Sequence, residues 1–243
     1  MGSDPASYDP FAWAYNRFWG RHTEWMLGAV RELVLRDHPP PAGLLDLCCG
    51  TGQLDRILQE MGYDVTGVDG SPEMIRFARE NAPACRFVVS DIRNFAAPAG
   101  FDLALCLYDS LNHLMAAEDL RLAFRAIHGA LRRGAPFLFD LNMEEGFRER
   151  WRGSFGIVED DLVCVVRPRF LDRDGVGEYQ ITMFRYESGW ARSDLALRQR
   201  CYAADPVIDT LAAAGFSNIR VFDGVKDLGL QGQVGRSFFR CHA

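Results

Sequence analysis

The sequence predicts an α/β fold: a parallel sheet wrapped by helices, with a small antiparallel sheet inserted towards the C-terminal end. Three observations carry this reading. From Gly43 to Met143 short apolar runs alternate with segments of helical spacing, the mark of β-α-β units. The first run ends in a glycine turn, Cys49-Gly50-Thr51-Gly52, that opens a helix. After Met143 the runs alternate apolar and polar residues around turn signals, as half-buried antiparallel strands do.

The elements follow in order. Asp9-Pro10 suits an N-cap and first turn, and Phe11 to Leu35 has roughly helical apolar spacing, so one or two helices are expected within residues 1–41. Their aromatic residues Tyr8, Phe11, Trp13, Tyr15, Phe18, Trp19 and Trp25 are expected mainly to pack. His38-Pro39-Pro40-Pro41 cannot be helix interior and closes the segment. Residues 42–143 carry expected strands at Gly43–Leu47, Asp64–Val68, Arg86–Val89, Phe101–Leu107 and Pro136–Leu141, with helices at Gln53–Met61, Pro72–Asn81 and Ala117–Arg132. Ser71-Pro72-Glu73 caps the second helix with an oxygen, a preset φ and an acid at the positive end. Right-handed crossovers bring the strand ends to one edge, where ligands bind. Residues 144–203 form the inserted sheet, with strands at Leu162–Phe170, Glu178–Glu187 and Leu195–Tyr202, the first two joined at Asp172-Arg173-Asp174-Gly175. Residues 204–243 return to a helix, Asp205–Ala214, and two closing strands, Ser217–Phe222 and Ser237–Cys241.

Composition narrows the function. The 243 residues are 48% apolar and 25% charged, the profile of one globular domain with room for an insertion. A net charge of -6 offers no broad attraction to phosphate backbones, so nucleic acid is not an expected partner. Lys226 is the one lysine, leaving a Schiff-base mechanism a single candidate. Seven cysteines without a C-x-x-C pair read as reduced thiols. MGSDPASYDP lacks the basic start and apolar run of a signal peptide, and no run reaches about 18 apolar residues. The expectation is a soluble cytoplasmic protein.

Glycine is needed where backbone approaches a ligand closely, because a Cβ would occupy the ligand's place. The dinucleotide fingerprint requires a third glycine, yet Gly50-Thr51-Gly52 is followed by Gln53, Leu54 and Asp55, which disfavours a nicotinamide-dependent reductase. The lysine-containing phosphate loop is absent too. At the end of the second strand, Asp69 can accept two hydrogen bonds from vicinal ribose hydroxyls. After the third, Asp91-Ile92 pairs an acceptor for an exocyclic amine with an apolar face for a ring.

These features resemble the class I S-adenosylmethionine-dependent methyltransferases over most of the chain: the turn Leu45-Asp46-Leu47-Cys48-Cys49-Gly50-Thr51-Gly52, Asp69, Asp91, Phe101-Asp102-Leu103-Ala104, and at the end Tyr202, Gly215-Phe216 and Ser237-Phe238-Phe239. The resemblance implies a Rossmann-like seven-stranded sheet, mostly parallel with the last strand antiparallel, and S-adenosylmethionine as cofactor with S-adenosylhomocysteine as product. It implies that the glycine turn faces the methionine part, that Asp46 orients the turn and the amino group, that Asp69 holds ribose and that Asp91 and Ile92 frame adenine. The implied cofactor set also includes Tyr15, Trp25, Cys49, Gly50, Thr51, Gly52, Gly70, Ser71, Met74, Leu107 and Tyr108. Where Cys48 stands the family usually has glycine, which implies a tighter or shifted loop.

Within the class the chain is similar to glycine-type and nucleotide-sugar amine methyltransferases. Tyr8-Asp9, Ala14-Tyr15 and Trp25 resemble that branch's N-terminal lid, and Leu107-Tyr108-Asp109-Ser110-Leu111-Asn112-His113 its segment after the fourth strand. There the inserted sheet roofs the acceptor pocket or pairs subunits in a homodimer. A small-molecule acceptor methylated on nitrogen or oxygen is implied. In-line transfer needs mainly alignment, and a base is optional. His113, which titrates near neutrality, is the first candidate for one, with His22 on the lid a weaker candidate. Asp109 can hold a cationic or hydroxyl acceptor, and Tyr15, Tyr108 and Trp19 can line the pocket or face a sulfonium. Asp109, Asp140 and Asn142 offer oxygen ligands of the kind magnesium takes, but Asp140 lies within an apolar run and no metal is expected. A non-catalytic module that binds the same cofactor is the reading from another class.

Overall fold

Two sheets organise the chain in the computed structural model, which describes residues 5–20, 23–97 and 99–243. The N-terminal segment is helical in short pieces: a tight stretch Pro5–Phe11, α1 (Ala12–Ala14), a wide turn Tyr15–Trp19, then α2 (Glu24–Val30) continued by a second wide turn, Arg31–Leu35. Asp9 does not cap it as expected. Pro10 lies inside the tight stretch, and the Asp9 carboxylate instead accepts from Ser71 Oγ and, at 3.5 Å, from the Glu73 amide.

The core runs β1 (Gly43–Leu47), α3 (Gln53–Glu60), β2 (Asp64–Asp69), α4 (Pro72–Asn81), β3 (Arg86–Val89), β4 (Leu103–Cys106), α5 (Ala117–Ala130) and β5 (Pro136–Asn142). Ser71 caps α4 as its position predicts, its oxygen accepting from the Met74 amide at 3.1 Å with Pro72 in the first turn. The insertion comprises α6 (Glu144–Arg150), β6 (Phe155–Glu159), β7 (Leu162–Leu171), β8 (Val176–Tyr186) and β9 (Trp190–Arg200). The chain closes with α7 (Ala204–Ala213), β10 (Ser217–Asp223) and β11 (Arg236–His242).

The main sheet has seven strands in the order β10-β11-β5-β4-β1-β2-β3. Strands β1 to β5 are parallel, and β11 runs antiparallel to both β5 and β10. Strands β4 and β5 are buried along their whole length, as a parallel sheet covered on both faces requires. Phe124, Phe137, Phe139 and Phe239 pack on one of those faces; the Phe139 and Phe239 rings stack at 4.9 Å.

The inserted sheet has four strands, not three: β6 pairs antiparallel with β7 at the edge, and α6 precedes it. One face of β7, β8 and β9, carrying Val166, Ile181 and Leu197, packs on Phe11 and Ala14, while Ala12 packs on Met74 and Phe77 of α4. The aromatic N-terminal segment thus fills the seam between the two sheets. Among the described residues no helix is long and apolar enough to cross a membrane.

Candidate active site

A cavity of about 640 Å³ opens at the carboxyl edge of the parallel strands and is roofed by the apolar face of the inserted sheet. Its first wall is the turn after β1. Cys48, Gly50 and Gly52 all have left-handed backbone, φ +57°, +58° and +77°. Cys48 therefore holds a left-handed conformation that a glycine would adopt without strain. At Gly50 a Cβ would come 3.4 Å from the Tyr15 ring, and at Gly52 one would come 3.0 Å from the Ala78 backbone.

Asp69 braces this wall. The Gly50 amide donates to Asp69 Oδ2 and the Ser71 amide to Oδ1, each at 2.9 Å. Burial raises the carboxyl above its usual range, and those two donated bonds act against the rise. Below the turn, buried Asp46 faces Asp55 closely enough for the two to share one proton. Neither Asp55 oxygen meets a donor in hydrogen-bond geometry among the described residues, and both carboxyls are raised by burial. Further along, Arg93 Nε donates to both Asp91 oxygens, at 2.9 and 3.0 Å, and holds that carboxyl low, while Nη1 donates to Asp119 at 3.1 Å.

The second wall follows β4. Tyr108 and Asp109 are consecutive left-handed residues without being glycine, φ +61° and +52°, a conformation that costs of order 1–3 kcal/mol per residue and survives only where neighbours enforce it. The neighbours here are Asp140, whose Oδ2 accepts the Asp109 amide at 3.0 Å, and Ser110, whose hydroxyl donates to Leu107 O at 2.7 Å. Arg236, at the head of β11, donates through Nη2 to Asp109 Oδ1 at 2.7 Å and through Nη1 to Asp140. Its guanidinium also lies 5.4 Å from the Trp25 ring centre, and Trp25 meets Tyr108 edge-on at 6.0 Å.

His113 ends the short helical turn Ser110–His113. The Tyr8 hydroxyl lies 2.9 Å from its Nε2, and the Gln199 amide nitrogen 3.2 Å from the same atom. Gln199 Nε2 also donates to Asp109 Oδ2, while its oxygen accepts from Asn142 Nδ2 at 3.2 Å, which assigns the amide orientation. A donor at 3.2 Å from Nε2 assigns the lone pair to that atom and the proton of the neutral ring to Nδ1. Burial lowers the imidazole below its ordinary value, and Asp109 acts in the opposite sense. Burial raises the phenols of Tyr8 and Tyr15, so both stay protonated near neutrality.

Of the residues singled out from sequence, Tyr15, Trp25, Asp46, Cys49, Gly50, Asp69, Gly70, Met74, Asp91, Ile92, Leu107, Tyr108, Asp109 and His113 line this one cavity. Thr51, Gly52 and Ser71 stand behind its wall: Thr51 Oγ1 donates to Gln53, Gly52 backs onto α4, and Ser71 caps that helix. His22 lies outside the described residues. Asp140 and Asn142, which offer oxygen ligands of the magnesium kind, are bonded to Arg236 and Gln199. Among the described residues no group of His, Cys, Asp and Glu is placed to hold a metal.

Sequence reasoning missed Arg236, Gln199, Arg150 and Tyr179, which also line the cavity. A signal existed for Arg236, a cation opening the apolar strand that ends the chain, but its partners depend on β11 lying antiparallel beside β5.

The donor set fits S-adenosylmethionine. The glycine turn leaves a cradle that side chains would narrow, Asp46 and Asp69 line it with carboxyls suited to an ammonium and ribose hydroxyls, Asp91 adds an acceptor suited to an exocyclic amine, and Ile92 and Leu107 add apolar surface. Comparison with known proteins points the same way. A family model described as a methyltransferase domain matches residues 44–134. The Bacillus subtilis (strain 168) protein YqeM, provisionally named a methyltransferase, is 28% identical over 208 residues, covering 83% of this chain and 84% of its own. The glycine/sarcosine N-methyltransferase of Parasynechococcus marenigrum (strain WH8102) is 31% identical over 198 residues, covering 72% of this chain and 70% of its own. The fold matches the X-ray structure of the sugar N-methyltransferase KedS8 from Streptoalloteichus sp. ATCC 53650 with a TM-score of 0.76 at 24% identity, over 100% of this chain and 93% of that one. The chain belongs to the S-adenosylmethionine-dependent methyltransferase family.

Proposed function

We propose that this enzyme methylates an amine nitrogen of a small-molecule acceptor. The observation that carries the reading is the hydrogen-bonded cluster of Tyr8, His113, Gln199 and Asp109 on the cavity wall, beyond the cofactor cradle. Bound S-adenosylmethionine supplies an electrophilic methyl group on a sulfonium. Asp69 would hold the ribose, Asp91 and Ile92 the adenine, and Asp46 with the turn at Gly50 the methionine end. Tyr15, Trp25 and Tyr108 would close the cavity around the sulfonium and exclude water.

The acceptor side then needs a base that is neutral near pH 7. An alkylammonium must lose a proton before its lone pair can attack. The Tyr8 oxygen can accept that proton as its own hydroxyl proton passes to His113 Nε2, and Asp109 stabilises the imidazolium that results. A base weakened by burial suits an amine better than an aliphatic hydroxyl, which holds its proton more tightly. The relationship to a glycine/sarcosine N-methyltransferase supports nitrogen as well.

The inserted sheet roofs the cavity in this reading. Its second use, pairing of subunits, is supported by exposed Val158, Val165 and Trp190. Seven free thiols support a reducing, cytoplasmic setting, and the net charge of -6 supports a partner other than nucleic acid. The test is a panel of small amines and alcohols incubated with labelled S-adenosylmethionine and read by mass spectrometry. Label on amines alone is expected. Label on alcohols alone contradicts the nitrogen reading, and tight cofactor binding with no labelled product across the panel favours a non-catalytic binding module.

A further inference from the structure

The roof of the cavity changes character along its strands. Phe155, Val166, Ile181 and Leu195 stand side by side across β6, β7, β8 and β9: Phe155 pairs with Val166, Val166 with Ile181 and Ile181 with Leu195. Two residues further along β9, Leu197 faces Tyr179, and two further again Gln199 faces Gly177. Alternate residues share one face of a strand, and a strand rises about 3.3 Å per residue, so the apolar row lies about 13 Å from Gln199. The polar groups of the lining gather at the Gln199 end, where Gln199 meets His113 and Asp109 directly and Arg150 through Asn142. At the other end Val166, Ile181 and Leu197 line the cavity even with Phe11 packed on the same face. Their side chains carry no donor or acceptor, and the strand backbone beneath them is consumed by the ladder. Phe155 lines the same cavity yet is 48% exposed, with the Trp19 ring of the N-terminal segment 6.4 Å away. A phenyl ring left in water at the rim of a cavity is surface that an apolar ligand can cover.

We propose that the methyl acceptor carries its amine on an apolar, ring-bearing body that lies under the inserted sheet, with the nitrogen at the Gln199 end and the ring at the Phe155 end. The inference rests on the reading of this cavity as a methyl-acceptor site. A sugar body would lay hydroxyls against Val166, Ile181 and Leu197, which return no hydrogen bond for the water each hydroxyl gives up. A hydrocarbon ring loses nothing there, and the rings of Trp19 and Phe155 can meet it edge to face.

Calorimetry on the full-length protein tests this. Binding of S-adenosylhomocysteine is measured first, which checks the functional reading separately: its absence overturns that reading and the proposal with it. The protein saturated with S-adenosylhomocysteine is then titrated with ethylamine, 4-phenylbutylamine and glucosamine. 4-Phenylbutylamine is expected to bind about tenfold or more tightly than either of the others, through burial of its ring. Phe155→Ser, at an exposed position, and Val166→Thr, close to the parent in shape, are each expected to weaken 4-phenylbutylamine about fivefold and to leave S-adenosylhomocysteine and ethylamine unchanged. Glucosamine or ethylamine binding as tightly as 4-phenylbutylamine overturns the proposal. So does the absence of 4-phenylbutylamine binding, or an affinity for it that neither variant changes. Displacement of S-adenosylhomocysteine by 4-phenylbutylamine overturns it as well, and would assign the apolar row to the cofactor instead.

Discussion

Arg236 and Asp109 lie 127 positions apart in sequence and meet at 2.7 Å, with both side chains largely out of water. The same guanidinium holds Asp140, whose carboxylate in turn fixes the Asp109 amide. One cation thus ties the last strand to the strained turn that presents Asp109 and His113 to the cavity.

Arg236→Met should therefore cost stability as well as activity. It leaves two buried carboxylates without a counter-charge, and breaking a buried ion pair from one side costs about 3–5 kcal/mol. Urea unfolding measures this; a loss below about 1 kcal/mol would show that the pair does not hold the turn.

His113→Gln should leave S-adenosylhomocysteine affinity intact and lower the methyl-transfer rate by about a hundredfold, the lower range for loss of a general base. In the parent enzyme the acidic limb of kcat/KM should lie below about 6.5, because burial disfavours the imidazolium and only the neutral ring accepts a proton. The same depressed value makes the unfolded chain bind the proton more readily, so this residue's contribution to stability is lost as pH falls from about 6.5 towards the folded value. A limb above 7, or equal losses of cofactor binding and turnover, would assign His113 a structural role.

The paired carboxyls Asp46 and Asp55 predict the opposite slope. Both are raised in the folded state, so the stability they contribute is full below their unfolded values near 4 and is lost as pH rises through the raised folded values. Asp55→Asn supplies a permanent donor to Asp46 and should stabilise the protein at pH 8 by about 1–2 kcal/mol while flattening that slope. Thermal unfolding at pH 5 and pH 8 reads it, and destabilisation at both would contradict a shared proton.

What the sequence made legible was local. The glycine turn, Asp69 at the end of β2 and the Ser71 cap are short-range signals written within a few residues, and the structure places them together at the carboxyl edge. The first wall could be read because parallel crossovers bring successive strand ends to one side whatever the loops contain. The second wall could not. Arg236 and Gln199 reach the cavity only through β11 lying beside β5 and the inserted sheet folding over the edge, and nothing near either residue encodes that pairing. Asp9 misled for the same reason: its neighbours suggest a local cap, but its partners sit on α4, more than 60 residues away. α6 and β6 were missed because the stretch from Glu144 to Glu159 is rich in charge and glycine and its faces are mostly exposed.

Calorimetric titration of the parent protein and of Asp69→Ala with S-adenosylmethionine tests the central claim most directly. The account predicts micromolar binding in the parent and a loss of about 2–3 kcal/mol in the variant, from the missing acceptor for the ribose and the two turn amides left unpaired. Equal affinity in the two proteins, or no binding in the parent, would contradict it.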